Sequence, residues 1–146
     1  MRTIKFRGKR YGDNAWVCGC LYQGTKEGQT YSIILDDGGY SLAPSNERNF
    51  AIAFAEDEVN VVFPETVGQY TGLRDKNGRE IYEGDIIVSQ DYSHARHYVR
   101  YIDDEAMFVA MIIGSSLMEY CAIRQSWIDE YDKKIIGNIY DDPELL

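Results

Sequence analysis

The sequence predicts a mainly β fold with little helix. Apolar residues alternate with polar ones along most of the chain, as in half-buried strands. Residues typical of turns separate these stretches, and only one segment fits a helical spacing. The chain has 146 residues, of which 45% are hydrophobic and 27% are charged. These proportions are typical of a globular protein, and we expect a single domain over residues 1–146.

The alternating stretches place most of the expected strands. Trp16, Cys18, Cys20 and Tyr22 share one face of the second strand, and the two cysteines are expected to be small core residues. The basic residues of segment 2–10 are expected to form the solvated face of an edge strand. Strands are expected over residues 3–7, 16–22, 31–35, 50–55, 59–63, 97–102, 106–113 and 135–140.

The strongest local signal is a β-hairpin in the middle of the chain. Two strand-like runs, Val67 to Leu73 and Glu80 to Val88, flank a turn that contains Asn77 and Gly78. Both turn residues tolerate the positive φ that tight hairpins require. Gly84 is likewise assigned to backbone geometry. Residues 117–131 fit a helical face but are also apolar enough for a strand, so both alternatives stay open.

Charge argues against nucleic acid as the main partner. The net charge is -9, and the last 46 residues carry most of it. An acidic chain repels phosphate at long range. The exception is the basic run Lys5, Arg7, Lys9 and Arg10, which offers an alternative nucleic-acid contact, with Tyr11 and Trp16 as stacking aromatics.

No motif in the sequence indicates catalysis, a metal or a cofactor. His94 and His97 could join Cys18 and Cys20 in a zinc site, but a C-x-C pair on an alternating strand lacks the usual knuckle spacing. The three cysteines are expected to be reduced thiols in a cytoplasmic protein. Nucleophile elbows and phosphate-binding glycine loops are absent from the sequence. We therefore expect a protein that is not an enzyme and holds no metal or cofactor.

Three segments resemble signatures of the YopX family, which bacteriophages and prophages encode. The central one runs from Gln69 to Ile87 and the C-terminal one from Ile135 to Leu146. The opening, Ile4 to Arg10 followed by Trp16 to Gly19, is similar to the family's N-terminal signature. The resemblance implies a small mixed-sheet pseudobarrel, similar to SH3-like or PRC barrels. It implies no established activity.

Tyrosine is the compositional outlier, with 12 copies. Tyrosine is favoured at interfaces because its ring buries a large area while its hydroxyl tolerates water. We expect a protein-interaction module that binds a host or phage protein, does not span a membrane, and has an oligomeric state that the sequence leaves open. The candidate partner-binding residues are Tyr92, Tyr98, Tyr101 and Tyr131.

Overall fold

A computed structural model describes residues 3–36, 40–46, 49–54, 59–89, 94–115 and 119–146. The chain divides into two compact units, an N-terminal unit of Ile4–Gln69 and a C-terminal unit built mainly from Tyr70–Leu146. Strand pairing dominates both units.

The N-terminal unit contains an antiparallel sheet with the strand order β6-β3-β2-β1-β7 and a separate hairpin formed by β4 and β5. Strand β7 starts in this unit and continues into the next. A short 3₁₀ turn, Pro64–Thr66, precedes β7. The strands are β1 (Phe6–Lys9), β2 (Trp16–Lys26), β3 (Gln29–Asp36), β4 (Tyr40–Asn46), β5 (Asn49–Phe54), β6 (Val59–Val62) and β7 (Gly68–Arg74).

The C-terminal unit contains a five-stranded antiparallel sheet with the order β12-β11-β10-β9-β13. Its buried core joins one face of this sheet to the helix and to β8 through Ile81, Ile87, Val99, Ala110, Ile128 and Ile135. The elements are β8 (Glu80–Tyr82), β9 (Asp85–Val88), β10 (Arg96–Ile102), β11 (Met107–Ile112), β12 (Tyr120–Ala122), α1 (Gln125–Glu130) and β13 (Lys134–Asn138).

The prediction of a mainly β fold is confirmed, but the sheets are not closed into a barrel. Every strand pairing among the described residues is antiparallel, so the sheets are not mixed. An isolated bridge between Arg10 and Val62 connects the chain after β1 with β6. Strands β1 and β6 are the first and last of four neighbouring strands, so the bridge brings the two ends of this run together. It does not complete a closed ladder.

The basic first strand is not an edge strand, contrary to the prediction. Arg7 lies opposite Cys18 of β2 on one side and opposite Gly68 of β7 on the other. The side chain of Arg7 is only 7% exposed. Alternating charge is therefore compatible here with an interior strand, because the long stems of basic residues can cover apolar neighbours.

The segment 117–131 combines both structures that its sequence allowed. Tyr120 and Cys121 pair with Met111 and Ala110, so this part completes the edge of the β11 ladder. Helix α1 begins after Arg124 and buries Ile128 completely. Residues 117 and 118 of the segment lie outside the described residues.

The central hairpin is confirmed, and its turn contains Gly78 with φ of 80°. The expected single strand from Glu80 to Val88 is instead broken into β8 and β9. Gly84, with φ of 81°, makes the break. Glycine adopts a positive φ at little cost because it has no Cβ atom. The chain therefore turns at Gly84 instead of continuing as one strand. The two halves of the run therefore enter different ladders.

Asp75 ties this turn to a distant strand. One of its carboxylate oxygens accepts hydrogen bonds from the backbone N–H groups of Asn77 (2.8 Å) and Arg79 (2.9 Å). The other accepts from the backbone N–H of Ile135 in β13 at 3.1 Å. Asp75 is buried, and it satisfies three backbone donors that would otherwise be costly to bury.

Candidate functional site

The N-terminal sheet has one buried face, which includes glycines and branched apolar residues. Ile34 and Val62 are fully buried there. Gly8 lies so close to them that a Cβ atom would sit 2.9 Å from Val62 Cγ2. Gly19 approaches the neighbouring backbone even more closely, since its Cβ would lie 1.8 Å from the carbonyl oxygen of Leu35. Glycines on this face thus allow the strands to pack tightly.

The opposite face of the same sheet is also rich in apolar and aromatic residues. The strand register places Cys20 opposite Leu35 and Tyr22 opposite Ile33, and Ile33 in turn opposite Val61. Residues directly opposite each other share a face. We call this surface the outer face; it carries Trp16, Cys18, Cys20, Tyr22, Tyr31, Ile33, Leu35 and Val61.

The outer face contacts solvent, which corrects the prediction for the two cysteines. Cys18 and Cys20 are exposed rather than core residues, while Tyr22 is 57% and Val61 44% exposed. The alternation in β2 identified which residues share a face, but the glycine-lined side is the one that packs. A sheet with one solvated face normally carries polar residues there. The apolar outer face departs from that pattern.

A groove of about 470 Å³ opens in the N-terminal unit and includes part of the outer face. Its size falls in the range of pockets that bind small molecules or peptide side chains. The hairpin turn between β2 and β3, the loop after β1 and the end of β6 each contribute to its walls. Its lining includes Tyr11, Glu27, Tyr31, Val61, Val62 and Pro64.

The ring of Tyr31 is held in place on the groove wall. It lies across Gly24, its partner in the ladder, where a Cβ atom would come within 2.3 Å of the Tyr31 hydroxyl. The rings of Tyr22 and Tyr31 have centroids 6.2 Å apart. A hydrogen bond with the Tyr22 side chain raises the pKa of the Tyr31 phenol. These contacts orient the ring before any ligand binds.

The ring of Tyr11 is oriented by a second set of contacts. Its centroid lies 4.0 Å from that of Phe63, and its backbone N–H donates to the carbonyl of Val61 at 2.9 Å. The loop after β1 is fixed by an ion pair between Arg10 and Asp13. Hydrogen bonding from Arg10 is the main reason that the pKa of Asp13 falls to about 2. Tyr11 nevertheless remains 53% exposed.

Glu27 lies on the rim of the groove in an unfavourable backbone conformation. Glu27 and Gly28 form the two-residue turn between β2 and β3, with φ values of 52° and 80°. Positive φ at both central residues is typical of hairpin turns that prefer Asn, Asp or Gly. A glutamate in this position costs stability relative to those residues. Its side chain is exposed, and Glu27 lines the groove together with Tyr11 and Tyr31.

Two of the four basic residues predicted from the sequence, Arg7 and Lys9, lie beside Trp16. The guanidinium of Arg7 lies 4.7 Å from the centre of the Trp16 ring, and the ammonium of Lys9 lies 5.8 Å from it. Lys5 is half-buried. Arg10 donates to Asp13 and, at 3.0 Å, to the side-chain oxygen of Asn60. The structure therefore groups Arg7 and Lys9 but directs Arg10 to other partners.

The predicted partner-binding tyrosines do not form one surface. Tyr98 and Tyr101 point to opposite faces of β10, and Tyr101 packs edge-on against Phe108 at 5.0 Å. Tyr131 follows helix α1 and is 39% exposed. Tyr92 lies outside the described residues. A smaller groove of about 290 Å³ in the C-terminal unit includes Tyr101 but not Tyr98 or Tyr131.

Three further observations concern metal binding, thiol chemistry and membrane insertion. In the described ranges, no three His, Cys, Asp or Glu side chains are grouped so that they could hold a metal ion. Cys121 is half-buried, and desolvation raises the pKa of its thiol. Over those same residues, no helix has the length and apolar composition needed to cross a bilayer.

Sequence reasoning missed the groove and most of its residues. Glu27, Tyr31 and Pro64 were not singled out, although a usable signal was present. A Glu-Gly pair stands between two alternating runs, which is the composition of a two-residue hairpin turn. That turn would have placed Glu27 beside the start of β3. The contribution of β6 depends on strand order, which no local pattern gives.

Comparison with known proteins identifies the family. No curated protein matches the chain. Among solved structures, the chain is similar to the crystal structure of protein EF1440 from Enterococcus faecalis, with 26% sequence identity and a TM-score of 0.63. That match covers 100% of this chain and 99% of the other. The family model described as YopX protein matches residues 5–146. The chain therefore belongs to the YopX family.

Proposed function

We propose that this chain is a non-enzymatic protein-interaction module, encoded by a phage or prophage and acting in the cytoplasm of a bacterial host. Its partner is a host or phage protein. One observation carries the proposal: the outer face and the adjoining groove present apolar and aromatic side chains to solvent on a sheet whose other face is already packed. A contiguous apolar surface of this kind is typical of an interaction site.

The geometry suits binding because the aromatic anchors are positioned in advance. Tyr31 rests on Gly24 and contacts Tyr22, and Tyr11 stacks on Phe63. Ordering a flexible side chain on binding costs about 0.5–1.5 kcal/mol. Rings that are already fixed avoid much of this cost. Aromatic residues also dominate the energetics of most protein interfaces.

Nucleic-acid binding is the second candidate, and Trp16 is the observation that favours it. Arg7 and Lys9 both lie near its ring on the outer face, an arrangement compatible with base stacking beside phosphate contacts. The burial of Arg7 and the net charge of -9 oppose it. A salt titration with single- and double-stranded DNA tests it, because phosphate contacts give steep salt dependence.

The native thiols provide a direct test of the first proposal. Cys18 and Cys20 lie on the outer face, while Cys121 lies in the C-terminal unit and serves as an internal control. The purified protein is incubated with a lysate of the bacterial host, and maleimide labelling of each cysteine is followed by mass spectrometry. We expect labelling of Cys18 and Cys20 to fall while that of Cys121 stays unchanged.

Matched variants make the test specific. Tyr22→Lys with Val61→Lys disrupts the outer face, whereas Ile136→Lys changes an exposed apolar residue of the C-terminal unit. The first should abolish both the protection and the capture of a partner, and the control should preserve them. Equal protection in both variants, or protection of no thiol, would refute the proposed site. Protection by nucleic acid alone would favour the second candidate.

A further inference from the structure

We propose that the groove binds an extended, proline-containing segment of the partner, and that a basic residue of that segment pairs with Glu27. This inference rests on the proposed function and specifies its ligand. It follows from three features of the groove: its aromatic walls, the hydrogen bonding of the backbone beside it, and the position of one carboxylate.

The aromatic and apolar residues that line the groove suit a polyproline II segment. The groove is lined by an exposed tyrosine, Tyr11, and a half-buried one, Tyr31, together with Val61 and Pro64. A polyproline II helix has three residues per turn, so its side chains form apolar ridges that fit between aromatic rings. Proline rings also lose little conformational freedom on binding. Fixed rings on both partners keep the entropic cost low.

The backbone beside the groove disfavours recognition by strand addition. On the side of β6 away from β3, the carbonyl of Val61 accepts a hydrogen bond from Tyr11, and the N–H of Phe63 donates to the carbonyl of Lys9 at 2.9 Å. The opposite side of β6 pairs with β3. A ligand therefore meets side chains rather than a free strand edge. A polyproline II segment needs no ladder partner, because its backbone stays solvated.

Glu27 supplies the charge selectivity. It is an exposed carboxylate on the groove, and it occupies a turn position where Asn or Gly would fit the backbone better. A strained residue next to a binding surface is a candidate for a functional role. Its carboxylate can accept a charge-assisted hydrogen bond from lysine or, in bidentate form, from arginine. Glu27 is therefore expected to bind an arginine of the partner that lies beside the prolines of the bound segment.

The test uses fluorescence anisotropy with a labelled synthetic peptide that contains two Pro-x-x-Pro turns and one flanking arginine. We expect weak binding, with a Kd on the order of 10–100 μM. Replacing the prolines by alanine should weaken binding about tenfold or more. Replacing the arginine by glutamate should weaken it by a similar factor.

Two groove variants and one control are compared. Tyr11→Ala should weaken binding about tenfold, because it removes one wall. Glu27→Asn suits the turn and should weaken binding of the arginine peptide about fivefold. The same variant should bind the glutamate peptide more tightly than the wild type does, because it removes a like charge. Tyr120→Ala, an exposed tyrosine of the C-terminal unit outside the groove, should bind like the wild type. If Tyr11→Ala does not fold, Glu27→Asn still tests the proposal, because asparagine fits the turn and this variant is expected to fold.

Three results would overturn the inference: no binding at about 1 mM peptide, equal binding of the alanine-substituted peptide, or equal binding of the arginine peptide by Glu27→Asn and wild type. The thiol-protection experiment is independent of these peptides. Protection of Cys18 and Cys20 by a partner, combined with any of the three results, would reject this ligand and retain the interaction module.

Discussion

Two glycines on strand β2 should respond very differently to the same substitution. At Gly19, a Cβ atom would lie 1.8 Å from the carbonyl oxygen of Leu35 and 2.7 Å from its carbonyl carbon. At Gly24, it would lie 2.3 Å from the hydroxyl of Tyr31 and 2.5 Å from the adjacent ring carbon. All four distances are shorter than any normal contact. The difference lies in what can move.

The expected magnitudes follow from that difference. In Gly19→Ala the obstacle is backbone, so strands β2 and β3 must separate locally. Overpacking of this kind costs about 1–3 kcal/mol, and each weakened ladder hydrogen bond adds about 1 kcal/mol. We expect a total of about 3–4 kcal/mol. In Gly24→Ala the Tyr31 ring can rotate away, so we expect a stability change of about 1 kcal/mol or less.

Urea denaturation measures both changes. Trp16 fluorescence reports on the N-terminal unit in a Trp127→Phe background, which serves as the reference for each variant. Gly24→Ala should still lose the contact between Tyr22 and Tyr31, and with it part of the groove wall. An unfolding free energy for Gly19→Ala within about 0.5 kcal/mol of the reference would refute the close backbone approach.

Three further predictions concern turns and charge. Gly78→Val should cost about 1–3 kcal/mol, because valine resists the φ of 80° at this turn; an unchanged melting curve would contradict it. Glu27→Asn should stabilise the protein by about 0.5–1 kcal/mol in the same assay, since asparagine tolerates positive φ; a loss of stability would show that the glutamate has compensating contacts. Asp13 should titrate at a pKa of about 2, below its ordinary value of 3.8. Its contribution to stability is thus present above pH 4 and disappears as the pH falls through about 2. NMR titration should show the pKa returning toward the ordinary value in Arg10→Gln, and an unshifted Asp13 in the wild type would refute the ion pair.

Local patterns predicted the turns and most strands, because those features depend on neighbouring residues. The Asn77-Gly78 turn requires positive φ, and the sequence contains the residues that supply it. The same patterns could not decide which face of β2 is buried. Alternation groups Trp16 with Cys18, but burial depends on which side the other strands pack against. The glycines that permit this packing carry no hydrophobic signal.

Contacts between distant segments were also beyond the reach of sequence patterns. The groove forms where the β2–β3 turn meets the loop after β1 and the end of β6, so it depends on the order of strands in space. The prediction of partner-binding tyrosines rests on composition and sequence position alone. Tyr98 and Tyr101 lie three residues apart, and in a strand that spacing separates them onto opposite faces.

The position of β9 between β10 and β13 has a consequence for synthesis of the chain. The ribosome delivers β9 and β10 well before β13, whose Ile135 bonds to an aspartate 60 residues earlier. Strand β9 pairs with β10 on one edge and with β13 on the other. Until β13 has been synthesised, the second edge of β9 lacks the strand that pairs with it. Unpaired edges promote association between nascent chains. Pausing of translation between β9 and β13 should therefore increase aggregation, and rapid completion of this region should suppress it.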